Sequence, residues 1–228
     1  MTPENLRFSM LICLFSFLLT FCGEKEQELI SPSGGYQHIE YKNGTIVKLG
    51  PQSKAYYHLS SNEINLTGEA ILEVAPDKEL NVTTPNGIVN AQSGNYRIHS
   101  RRTSLNVFVL NGKAISTNID GTAKKELTDG MFAIYNGKNL AHFDKKKVEQ
   151  MTNDKYWVFT SASILFILES LTAQYGVTFD KADANINKVF SGFIPRDDLQ
   201  IALSILTRSI GLEYVQEGSN YIFSDATY

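Results

Sequence analysis

Apolar and polar positions alternate through the first two thirds of the chain. The runs HIEY, TIVKL, AYYHL, EINL, AILEV, YRIHS, LNVFVL and MFAIY all fall between residues 36 and 143. A period of two places alternate side chains on one face of an extended strand. Asn-Gly or Asp-Gly occurs at 43–44, 86–87, 111–112, 120–121, 129–130 and 136–137, always before residue 138. These dipeptides accept the positive φ that tight hairpin turns demand. Short strands at this turn spacing predict an antiparallel or stacked β domain over 35–143, as a sandwich, a barrel or a solenoid-like stack.

From residue 156 the period changes. Ile164, Ile167, Leu168, Leu171 and Tyr175 fall on one helical stripe, and Gly176 follows as a C-cap. Leu199, Ala202, Leu203, Leu206 and Ile210 repeat the stripe thirty-five residues later, again with a glycine, Gly211, after it. Strand-like triplets flank each helix: Trp157-Val158-Phe159 and Val177-Thr178-Phe179, then Gly192-Phe193-Ile194 and Leu212-Glu213-Tyr214. Tyr221-Ile222-Phe223 reads as a last strand. Residues 156–225 therefore predict a small doubled βαβ domain, one sheet covered by two helices. Ser161 or Ser163 is placed to cap the first helix, and Asp197 or Asp198 the second. Leu165 and Phe166 lie off the first stripe; a broad buried face accounts for them, whereas an exposed Phe166 would mark a contact. The charged stretch 144–155 reads as a linker. The fold class is mainly β followed by α+β.

The first 21 residues have a different character. After Arg7, Phe8 to Phe21 form an apolar run of 14 residues. A membrane-spanning helix needs about 20, so the core of a signal peptide fits better. Leu19-Thr20-Phe21-Cys22 resembles the lipobox of bacterial lipoproteins, although Phe21 occupies a slot that usually holds a small residue. The resemblance implies a signal peptide over 1–21, acylation of Cys22, and a tether over 22–34. The chain would then be a membrane-anchored lipoprotein facing the periplasm of a Gram-negative cell envelope. An uncleaved anchor, or cleavage without lipid, are the alternatives. Cys13 leaves with the signal, so no disulfide is expected.

Composition narrows the chemistry. The 228 residues carry 21 Lys and Arg against 24 Asp and Glu, a net charge of −3. A basic nucleic-acid footprint is absent. The four histidines, 38, 58, 99 and 142, have no metal-ligand spacing, and no phosphate-loop, dinucleotide or nucleophile-elbow motif occurs. No metal, no cofactor and no catalytic residue is expected, and the chain reads as a non-enzyme. Glu69 and Glu73 share a strand face, where a solvated face or a turn bond to Gly68 is a simpler reading than a paired-carboxylate site. Arg101-Arg102 and Lys145-Lys146-Lys147 read as a solvated hairpin and linker, and Asp197-Asp198 as a helix cap. Asn43, Asn65 and Asn81 match a glycosylation acceptor pattern but read as turn and strand residues.

Two stretches carry a family resemblance. Asn43-Gly44-Thr45, Val47, Leu49, Ser53 and Tyr56, then Leu66-Thr67-Gly68-Glu69-Ala70 with Glu73-Val74, resemble the FecR family, the periplasmic part of a transmembrane anti-sigma regulator. Gly94, Tyr96 and Ile98 match its Gly-Thr-x-Phe-x-Val segment, with Ser93-Gly94 in place of Gly-Thr. Asn111-Gly112-Lys113-Ala114 matches a later turn. Trp157, Leu171, Tyr175-Gly176-Val177, Phe190-Ser191-Gly192-Phe193, Leu199, Ala202-Leu203 and Gly211-Leu212 resemble the domain that often follows it. That domain is similar to the short N-terminal domain of secretins and TonB-dependent receptors.

The resemblance implies a signalling or regulatory module whose partner is an envelope protein, such as a receptor signalling domain, or a component of an anti-sigma system. Family members normally carry a cytoplasmic sigma-handling segment, and only about seven residues precede the apolar run here. That segment is expected to be missing. Partner binding is expected by edge-strand pairing at Val189, Phe190, Ser191, Gly192, Phe193 and Ile194, or at 212–215 with 221–223. The alternative is a structural or assembly lipoprotein of the envelope with no sigma-factor role.

Overall fold

A computed structural model describes residues 25–136, 139–143, 155–180 and 184–226. The apolar run at 8–21, Cys22 and most of the linker lie outside the described residues.

The first domain is one antiparallel sheet. Its strands are β1 (Gln27–Ile30), β2 (Gln37–Glu40), β3 (Ile46–Leu49), β4 (Lys54–Tyr57), β5 (Glu63–Thr84), β6 (Gly87–Arg101), β7 (Ser104–Asn111), β8 (Lys113–Asn118), β9 (Lys124–Thr128), β10 (Phe132–Asn136) and β11 (Asn139–Phe143). The long β5–β6 hairpin is the spine. The main path runs β1-β4-β5-β6-β7-β10-β11; β2-β3 branches from β5 and β8-β9 from β6. EINL and AILEV are thus parts of a single 22-residue strand, interrupted by a register shift between Val74 and Glu79. Such a bulge bends a strand and raises its twist. The sheet curls enough for its inward residues, from Ile39 and Val47 to Ala133 and Tyr135, to form one cluster. Each large inward side chain contributes about 1.5–3 kcal/mol by leaving water.

The fold begins earlier than the stretch read as a tether allows. β1 pairs with β4, and the buried Ser31 accepts the Ser53 amide at 2.9 Å and donates to the Gly50 carbonyl. Gln27–Ile30 has only one half-buried position, so its alternation is too weak to announce a strand.

The second domain has β12 (Tyr156–Ser163), α1 (Ile164–Tyr175), β13 (Thr178–Asp180), β14 (Val189–Pro195), α2 (Leu199–Ile210), β15 (Leu212–Glu217) and β16 (Asn220–Asp225). Ser163 caps α1 through the Phe166 amide, and Asp198 caps α2 through the Ile201 amide. Gly176 and Gly211 end the helices in left-handed conformation. The element order is the expected doubled βαβ, but the strands form two sheets instead of one. β12 pairs antiparallel with β14, while β16 lies between β13 and β15. The cause is β16, whose Tyr221 and Phe223 face inward against Phe179 and Tyr214. It draws both short second strands to itself and leaves the two long first strands to pair with each other.

The second domain covers the outward face of the first. Phe108, Phe132 and Ile134 point away from the β core, yet they are buried together with half-buried Val158 from β12. Gly34 donates to the Ala173 carbonyl of α1 at 3.0 Å, fixing the other end of the contact.

Candidate functional site

Two features are placed to act: the outer strand of the second domain, and the polar junction between the domains.

β14 pairs with β12 along one side, and no described strand pairs with its other side. Its alternation sorts the six residues singled out in the sequence. Phe190 and Ile194 are buried in the domain core, whereas Val189 and Phe193 are 59 % and 47 % exposed. Gly192 lies under the Phe190 ring: a Cβ there would meet the ring tip at 2.8 Å. Ser191 accepts the Ser161 amide at 2.8 Å, which holds the bulged end of β12 on β14. The segment therefore offers an open edge with two exposed apolar side chains. Of the alternative edge, β15 is an outer strand with Val215 exposed, but 221–223 lies in the central strand β16 and has no open edge.

The junction contains ionisable side chains that the sequence reading left in solvent. Glu69, on β5, is buried instead of lying on a solvated face; Glu73, on the same strand, is exposed. Arg196, in the turn after β14, grips the Glu69 carboxylate with both ends of its guanidinium, at 3.1 and 2.8 Å. Arg97 of β6 lies 3.7 Å from the same carboxylate. Burial pushes the Glu69 carboxyl up, but Arg196, His99 and Arg97 outweigh it and hold the group down at about 2. The carboxylate is therefore charged across the physiological range. His99 is buried on the same face, with its ring 4.7 Å from that of Phe166. Burial, reinforced by Arg101, Arg196 and Arg97 against the pull of Glu69, lowers it to about 3, so it is neutral. Arg196 also lies over the Trp157 ring, 4.9 Å from its centre, a favourable cation–π arrangement.

The basic pair at 101–102 sits at the β6–β7 hairpin turn, with Arg102 exposed, but both side chains have partners. Arg101 donates to the carbonyls of Pro51 and Gln52, and Arg102 reaches Glu169 of α1 at 2.6 Å. Phe166, off the main helical stripe, is buried as part of the broad face expected, and its ring also meets His99 of the first domain. Sequence reasoning named Glu69 and His99 but missed their burial, and it missed Arg97 and Arg196 altogether. The signal was present: Arg97 and His99 alternate with inward Tyr96 and Ile98, on the same outward face as apolar Phe108, Phe132 and Ile134. An outward face that mixes ionisable and large apolar residues is a face that something covers.

The site explains the Gly-Glu-Ala signature. Gly68 has φ +106°, and a Cβ there would meet Ser53 Oγ at 2.3 Å and Ser53 Cα at 2.9 Å. Ser53 Oγ in turn accepts the Glu69 amide at 2.8 Å. The glycine admits the serine, and the serine seats the glutamate. The family model described as FecR protein matches residues 27–115, a span that holds Ser53, Gly68, Glu69, Arg97 and His99. Residues 27–115 are thus a FecR-like domain. Two crystal structures resemble the chain beyond that domain, each described as "a putative anti-sigma factor" from Parabacteroides distasonis ATCC 8503. The one at 2.50 Å superposes with a TM-score of 0.75 at 20 % identity, covering 89 % of this chain and 100 % of the other. The one at 1.65 Å gives 0.73 at 19 %, covering 88 % and 100 %. At this identity the likeness is one of fold, and it extends from the FecR domain through the doubled βαβ domain. No curated protein matches the chain in sequence.

Proposed function

We propose that the chain is a non-enzymatic signalling module of FecR type. It is tethered to the membrane through a lipid on Cys22, faces the periplasm, and binds a protein partner through β14. The open edge of β14, with Val189 and Phe193 exposed on it, carries the binding half of this reading. An extended partner strand added there gains main-chain hydrogen bonds, and the two apolar side chains give it specificity. The FecR domain and the fold shared with two proteins described as anti-sigma factors support the signalling half. A receptor signalling domain of the same doubled βαβ design is the partner this edge fits.

The test is crosslinking of tagged full-length protein in its own cells, followed by identification of what is captured from the membrane fraction. A TonB-dependent receptor or a sigma-system component is expected. It should be lost when Val189→Lys and Phe193→Lys charge the exposed side of the edge. Capture of secretion or polysaccharide machinery alone, or capture that survives both changes, would overturn the reading in favour of an assembly lipoprotein. Lipidation is read separately, by labelling with a fatty-acid analogue in the parent and in Cys22→Ser.

A further inference from the structure

Part of the first domain's outward face stays open to solvent. There β5, β6, β8 and β9 run side by side, and their register sets outward residues in rows. Residues directly opposite in paired strands share a face. Asn81, Asn90, Ile115 and Glu126 stand in one row; in the next, Glu79 faces Gln92 and Lys113 faces Thr128. Asn90 donates to Asn81 Oδ1 at 2.5 Å, which fixes both amides. These residues line a trough of about 550 Å³, and ligand sites hold roughly 300–1,000 Å³. A second hollow of about 580 Å³ begins at the same Glu79 and Gln92 and continues past the bulge of β5 to Asn43, Asn62 and Asp77. Asn62 donates to Glu79 Oε1 at 3.3 Å where the two meet. A chain molecule lying in the first hollow can therefore run on into the second.

The lining selects the ligand. Two carboxylates, Glu79 and Glu126, stand against one ammonium, Lys113, in the first hollow, and Asp77 and Lys78 offset each other in the second. A phosphate or another anion gains nothing there. Ile115 is the apolar side chain turned to this face; Ala114 and Leu127 also border it, but both belong to the β core. An apolar ligand would find little to cover. The floor strands β6 and β8 are paired on both sides, so they offer a peptide no main-chain bonds. What remains is a row of carboxamides: Asn43, Asn62, Asn81, Asn90 and Gln92. Each carboxamide presents donors and an acceptor together, as each hydroxyl group does, and the carboxylates accept hydroxyl protons. We infer that this trough is a binding site for a neutral, polyhydroxylated chain, an oligosaccharide. It gives the first domain a ligand of its own, whatever binds β14.

The experiment presents the immobilised full chain with hexasaccharides of glucose, mannose and N-acetylglucosamine, and with heparin fragments and a random peptide library for comparison. At least one neutral hexasaccharide should bind. Its affinity should be the same in low and high salt, because salt screens charges and this ligand has none. Asn90→Ala combined with Gln92→Ala removes two exposed amides. The pair should cut affinity about tenfold or more and leave the Tm of the free protein unchanged. No binding of any neutral hexasaccharide, a preference for heparin or for a peptide, or binding that survives the double change would overturn the inference. Should the variant fail to fold, hydrogen exchange of the parent decides it. Saturating hexasaccharide should slow exchange in residues 79–92 and 113–128, and slowing confined to the second domain would refute the site.

Discussion

At the scale of the residue, Glu69 is the point on which the junction turns. Three devices place it: the missing Cβ of Gly68, the Ser53 hydroxyl that accepts its amide, and the two-point grip of Arg196. Removing one partner of a buried ion pair leaves the other charged and unsolvated, which costs about 3–5 kcal/mol. Glu69→Gln should lose that order of stability in urea titration, whereas Glu73→Gln, four residues along in solvent, should stay within about 0.5 kcal/mol. The same residues set the acid limb. Glu69 falls from 4.5 to about 2 on folding, so its contribution is complete above 4.5 and is lost as pH drops through 2. His99 falls from 6.5 to about 3, so below 6.5 the unfolded chain binds a proton that the folded chain refuses. In both cases the unfolded state holds more protons, and stability rises with pH. Urea midpoints of the parent should therefore decline steadily from pH 6.5 towards 3. His99→Phe, which keeps a ring against Phe166, should flatten the upper part of that decline; an unchanged slope would show that His99 is not the group responsible.

At the scale of the element, local chemistry and tertiary placement separate cleanly. Both helices end where their sequence ends them, with Ser163 and Asp198 at the start and Gly176 and Gly211 at the close. An N-cap of this type is worth about 1 kcal/mol, so Asp198→Ala should cost that amount in thermal or urea unfolding without altering partner capture. A loss several times larger would mean that Asp198 does more than cap. Strand runs such as TIVKL and LNVFVL were legible because one face is inward and the turns between them carry Asn-Gly or Asp-Gly. β1 was not legible, because a strand held mainly by backbone pairing to β4 and by Ser31 leaves no apolar alternation. The split of the second domain into two sheets was also hidden: periodicity shows which face of β16 is apolar, but not which neighbours it will sit between. The burial of Glu69 was hidden for a related reason. A glutamate on an outward strand face looks solvated until a residue 127 positions away, Arg196, closes over it.

At the scale of the whole molecule, the two domains share a surface that neither could leave bare. Undocking would expose Phe108, Phe132 and Ile134, each worth about 1.5–3 kcal/mol in burial, and would strip Glu69 of Arg196. Those terms are large against a domain's net stability of about 5–15 kcal/mol, so the described chain should unfold as one cooperative unit. Val158 tests this, because it is the side chain that β12 sets into that aromatic cluster, while the main apolar clusters of both domains lie elsewhere. Val158→Asp puts a carboxylate among apolar groups and should open the junction while leaving both cores intact. The protein carries its own reporter, since its single tryptophan, Trp157, lies at the junction against Arg196. In the parent, urea transitions followed by Trp157 fluorescence and by far-ultraviolet circular dichroism should coincide. In Val158→Asp the fluorescence change should come at lower urea and separate from the loss of strand signal. Coincident transitions in the variant would mean that the two domains stay coupled without this contact, held by the remaining junction contacts, the ion pair of Glu69 and Arg196 among them.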